Sequence, residues 1–91
     1  MNRQDVYAAI DSERDYQEEV WSSSNKSSGA TNVSSFILWM ERYLHQAREL
    51  ASTRDETPET ESCDEIMDVV RKVAALAVAC GEINGMPERK K

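Results

Sequence analysis

Apolar residues recur at three- and four-residue spacing over three stretches of the chain, and nowhere do they alternate with period two. Residues 5–22 set Val6, Ala9, Ile10, Tyr16, Gln17, Val20 and Trp21 among Asp, Glu and Arg, which predicts a helix with a charged outer face. Asp5 lies where a carboxylate meets the positive end of the helix dipole. A second helix is predicted over 33–53, through Phe36, Ile37, Met40, Tyr43, Leu44, Ala47, Leu50 and Ala51, with Thr31 or Asn32 as its cap. A third runs over 60–84 and carries Ile66, Val69, Val70, Val73, Ala74, Leu76, Ala77, Cys80 and Ile83. It stops at Asn84-Gly85 with Pro87 just beyond, so Gly85 is the expected left-handed cap. The pattern predicts an all-α fold of three helices in one domain over residues 1–91, with no sheet and no internal repeat.

Two breaks separate these helices. The stretch Ser22 to Asn32 holds five serines, one glycine and two asparagines, whose side chains compete with helical backbone hydrogen bonds, and its one charge is Lys26. Between Arg54 and Glu61 lie Pro58 and a run of acids and threonines. There Thr57 is the expected cap and Pro58 the first helical residue, with Ser62 and Glu65 as an alternative capping box. The tail Glu88 to Lys91 is expected to fray.

The stretch Arg71-Lys-Val-Ala-Ala-Leu-Ala-Val-Ala-Cys80 is apolar around most of the helix and not along one stripe, so it needs neighbours on several sides. A 91-residue chain buries only about 60–65% of the surface it exposes when unfolded. Too little companion material remains to cover that helix, and the expected result is a homo-oligomer assembled through its helices.

Composition narrows the partners. With 31% charged and 40% hydrophobic residues the chain is globular, yet its net charge of −6 argues against long nucleic acid, which requires a broad basic face. A small anion gripped by one or two local cations remains allowed. No basic-then-apolar leader pattern opens the sequence and no run approaches the ~20 apolar residues of a membrane span, so a soluble, intracellular protein is expected. Cys63 and Cys80 are 17 residues apart on the third helix, roughly 25 Å, too far for an intrachain disulfide. They read as reduced, small apolar residues.

Carboxylates are the commonest reactive groups: Glu13, Glu18 and Glu19 on the first helix, Asp64, Glu65 and Asp68 on the third. Acids facing one another across helices can hold magnesium against phosphates. Here the apolar stripe instead belongs to Ile66, Val69 and Val73, and a solvated acidic face is the plainer reading. His45 has no second histidine or cysteine in metal spacing and reads as a surface or interface residue. Neither a nucleophilic triad nor a phosphate-binding glycine loop of the P-loop or dinucleotide type is present. Lys26 among hydroxyls, close to Gly29, suits an isolated phosphate, although a solvated linker has the same composition.

Two segments, Glu13-Arg-Asp-Tyr-Gln-Glu-Glu-Val-Trp21 and Arg71 to Cys80 continued by Gly81-Glu-Ile-Asn-Gly-Met-Pro-Glu-Arg89, resemble the phage anti-CBASS sponges that sequester cyclic oligonucleotide signals. With the helix from Phe36 to Ala47 between them, the likeness spans nearly the whole chain. It implies a helical homohexamer in the host cytoplasm that takes cyclic dinucleotides between protomers and cyclic trinucleotides in separate pockets, without cleaving either. In that family an aromatic near the start of the first helix stacks on a base and a lysine in the following loop meets the phosphates. Tyr7 and Lys26 match by position, with Tyr16 as the alternative ring. Ser28, Gly29 and Thr31 are the implied loop contacts, and Arg71 resembles the arginine of the trinucleotide site. The long serine run around Lys26 departs from the family pattern.

Two other classes of function stay open on the residues alone. One is a MazG-type all-helical, magnesium-dependent nucleoside triphosphate pyrophosphohydrolase using Glu13, Glu18, Glu65 and Asp68. The other is a non-catalytic oligomer that binds a host protein.

Overall fold

The computed structural model describes residues 1–24, 32–53 and 59–90. They form three helices, α1 (Arg3–Ser24), α2 (Val33–Thr53) and α3 (Glu59–Asn84), with no strand among the described residues. The α2 boundaries are those expected, while α1 and α3 each extend slightly further. Position 62 thus falls within the first turn of α3 and not at the position before it, while Thr57, the expected cap, and Pro58, the expected first helical residue, lie outside the described residues.

Three helix ends are closed by a local side chain or turn: the starts of α1 and α2 and the end of α3. At α1 a reciprocal box forms, the Asp5 amide donating to Asn2 Oδ1 at 2.9 Å and the Asn2 amide to Asp5 Oδ2 at 3.2 Å. Asn32 caps α2, its Oδ1 accepting from the Ser35 amide at 2.8 Å. At the end of α3 Gly85 takes φ 87° and its amide donates to the Gly81 carbonyl at 2.7 Å, the left-handed termination foreseen.

Helix α3 is the shared partner, packed against both α1 and α2. Phe36, Leu76 and Ala79 form the buried centre, with Trp21, Trp39, Met40, Tyr43 and Cys80 around it. Ala75 and Ala79, both fully buried, are one turn apart and offer no bulk, which lets neighbouring backbones come close. Trp21 of α1 stacks on Trp39 of α2 with ring centroids 5.3 Å apart, so all three helices meet at one aromatic cluster.

This packing corrects two expectations. From Arg71 to Cys80 only Val78 is exposed, because α1 and α2 together clothe a helix rich in small side chains. The uncovered apolar surface lies elsewhere: Met67 and Val70 on α3, Val6 and Tyr7 on α1, and Val33, Ile37, Leu38 and Leu44 on α2. The inner face of α1 also differs from the apolar pattern. Tyr16 and Val20 point outward, whereas Glu13 and Arg14 are drawn in beside Ile10, Gln17 and Trp21. Positions 10, 14, 17 and 21 share one helical face, and Tyr16 and Val20 lie off it.

Candidate ligand-binding site

Two grooves run between α1 and α3 and share Ile10. The larger, about 510 Å³, has an apolar floor of Val6, Ala9, Ile10, Met67, Val70 and Ala74, with Asp64, Asp68 and Arg71 on its wall. The other, about 450 Å³, is bordered by Tyr7, Ala8, Ile10 and Val78, with Gln4 and Asp11 at its polar edge. Single exposed apolar residues are ordinary on a protein surface, but here they line adjoining grooves.

Arg71 is brought to that wall by α3 and held there by two carboxylates. Its Nε donates to Glu13 Oε1 at 2.8 Å across the helix interface, and its Nη1 donates to Asp68 Oδ1, also at 2.8 Å, one turn back on α3. The partners differ in burial: the Glu13 side chain is 11% exposed and that of Asp68 is 61% exposed. The hydrogen bond to Glu13, then that to Asp68, outweigh partial burial and raise the Arg71 guanidinium above its ordinary value. It stays cationic at every working pH.

Tyr7 is more than half exposed, a ring available to stack. Tyr16, the alternative, is nine residues on and so faces the opposite side of α1, away from these grooves. Lys26, Ser28, Gly29 and Thr31 lie outside the described residues, in the stretch between α1 and α2. The structure thus brings Tyr7 and Arg71 to adjoining grooves of one helix pair, and the loop residues stay a matter of sequence.

A second arginine is spent on structure. Arg14 Nε donates to Glu82 Oε1 and Nη2 to Glu18 Oε1, each at 2.6 Å, while the guanidinium lies 5.2 Å from the centre of the Trp21 ring. Burial pulls the Arg14 value down, but the hydrogen bonds to Glu82 and Glu18 leave it raised overall. Arg14 Nη1 and the nine-tenths-buried Gln17 Oε1 have no hydrogen-bond partner among the described residues.

These pairs bear on the acids considered for magnesium. Glu13 and Asp68 both serve Arg71, Glu18 serves Arg14, and no group of three or more His, Cys, Asp and Glu is placed to hold a metal ion among the described residues. His45 is exposed, 3.8 Å from Glu49, and Cys80 is a half-buried free thiol. No described helix is long and apolar enough to cross a membrane. The roles of Glu13 and Trp39 escaped the sequence pattern, whereas Asp68 three residues before Arg71 was a readable helical pair. Comparison with protein-family models, curated proteins and solved structures gives no match to this chain.

Proposed function

We propose that the protein is a non-catalytic sponge of the phage anti-CBASS type, a homo-oligomer that captures cyclic di- and trinucleotides intact and keeps them from host effectors.

 The reading draws on the two-segment resemblance and on one observation of the fold: a guanidinium stands on the wall of one apolar groove and an exposed tyrosine ring borders the adjoining one, groups suited respectively to a phosphate and to a base. A base stacked on an aromatic ring contributes about 1–3 kcal/mol. Charge-assisted hydrogen bonds to phosphate add about 1.5–3 kcal/mol each, so a pocket doubled between protomers can approach the roughly −12 kcal/mol of nanomolar binding.

Oligomer formation is part of the proposal. Val33, Ile37 and Leu44 are exposed at spacings of four and seven on α2, a single row on one helix face, and the α1/α3 grooves add Val6, Met67 and Val70. Packing such rows against sister copies removes them from water and sets pockets at the seams. The acidic character of the chain as a whole disfavours long polyanions and leaves a small, locally neutralised ligand acceptable.

The test is to incubate the purified protein with a panel of cyclic di- and trinucleotides, remove unbound material, denature the protein and identify what it releases by mass spectrometry. Intact ligand recovered in stoichiometric amount supports capture. Linear or hydrolysed products, or no retained ligand from any member of the panel, overturn it. Sedimentation of the same material as a folded single copy at micromolar concentration overturns the oligomer.

A further inference from the structure

Arg71 already holds an anion. A guanidinium has five N–H donors, and here Nε is committed to Glu13 and one donor of Nη1 to Asp68. Nη2 makes no hydrogen bond to a described residue. A phosphate gripped by two parallel hydrogen bonds uses either the Nε/Nη2 edge or the Nη1/Nη2 edge, and each edge carries one carboxylate. The two are not equally removable, since Glu13 is nearly buried and Asp68 is mostly in water.

We propose that Asp68 occupies the phosphate position on Arg71 as a displaceable stand-in and that Glu13 is the fixed support aiming the guanidinium into the α1/α3 groove. The inference rests on the sponge reading and deepens it by assigning the regulation of the Arg71 site. A phosphate arriving at the Nη1/Nη2 edge must turn Asp68 away. That exchange costs little, because an exposed ion pair is worth only a fraction of a phosphate contact and Asp68 regains full hydration when released. Between ligands the arrangement acts as a threshold. A lone weak anion gains too little to replace a carboxylate already in place, while a cyclic trinucleotide that also places a base over Val6, Ile10 and Met67 gains enough. Asp64, on the same wall, adds a second negative charge against anions that bring no apolar contact.

Asp68→Asn removes the stand-in's charge and keeps its size, on a mostly exposed side chain whose loss leaves the core untouched. Glu13→Gln removes the support. Both are titrated calorimetrically with cyclic triadenylate, and with cyclic diadenylate as the ligand of the other pocket type. Asp68→Asn should bind the trinucleotide about two- to five-fold tighter than the unaltered protein, the range an exposed pair covers. Glu13→Gln should bind it about tenfold more weakly, and neither substitution should move the dinucleotide affinity. Opposite signs at two residues touching the same guanidinium are not what a shared structural role produces. If the unaltered protein binds the trinucleotide and Asp68→Asn binds it no tighter, the stand-in is refuted and the sponge reading survives. Should Glu13→Gln fail to fold by far-UV circular dichroism, Asp68→Asn alone decides. Absence of binding by every form, to both ligands, overturns the inference and the reading beneath it together.

Discussion

Replacing Arg71 by alanine leaves Glu13 as a nearly buried carboxylate with its cross-helix cation gone, and the cost can be worked from the geometry. A hydrogen bond between charged groups contributes about 1.5–3 kcal/mol, and an unpaired charge in a partly dry site forfeits that and some of its solvation. Arg71 is itself a third exposed, so water replaces part of what is lost and the lower half of the range applies, about 2 kcal/mol. The second bond, to mostly exposed Asp68, adds at most about 0.5 kcal/mol. For a chain of this size each kcal/mol shifts the thermal midpoint by about 4–8 °C, so Arg71→Ala should melt about 8–20 °C lower. Thermal and urea unfolding followed by circular dichroism at one fixed protein concentration measure it, the fixed concentration keeping mass action equal for the proteins compared. The second arm is Arg71→Ala with Glu13→Gln: a neutral amide needs no cation, so the double variant should recover about half of the loss. A single variant melting within about 3 °C of the unaltered protein, or a double variant whose loss equals the sum of the two single losses, refutes the claim that Glu13 depends on Arg71.

Leu76→Ala, at 1% exposure in the aromatic cluster, should cost about 3 kcal/mol in urea unfolding, since the fully buried Phe36 and Ala79 around it leave a cavity unfilled; a loss under about 1 kcal/mol would show the cluster collapses freely. Gly85→Ala tests backbone alone, because a Cβ there meets nothing within 4 Å while φ stays at +87°, and the expected cost is about 1–2 kcal/mol by the same measurement. Tyr7→Ala should leave the thermal midpoint nearly unchanged, the ring being exposed, while dinucleotide affinity falls by the ~1–3 kcal/mol of a lost stack; unchanged affinity with Tyr16→Ala weakened would move the role to the other ring. Lys26→Ala should abolish dinucleotide binding with sedimentation unaltered, and retained affinity removes Lys26 from the site.

Helices, caps and their ends were written in local sequence, because a helix closes its hydrogen bonds among near neighbours: Asn32 and Gly85 act through partners three and four residues away. The Asp68–Arg71 pair was readable for the same reason. What the chain order leaves open is which faces meet. The apolar spacing on α1 pointed to Tyr16 and Val20, yet the fold turned them outward and drew in Glu13 and Arg14, whose charges are answered by Arg71 and Glu82, 58 and 68 residues further along the chain. Likewise the apolar residues around most of α3 pointed to a helix that one chain could not cover, and only the close approach of α1 and α2 to the small Ala75 and Ala79 made one copy sufficient to cover its middle. Local hydrogen bonding and period fix the elements; complementarity between distant surfaces chooses the partners, and it is that choice which puts Arg71 between two carboxylates on the wall of a groove.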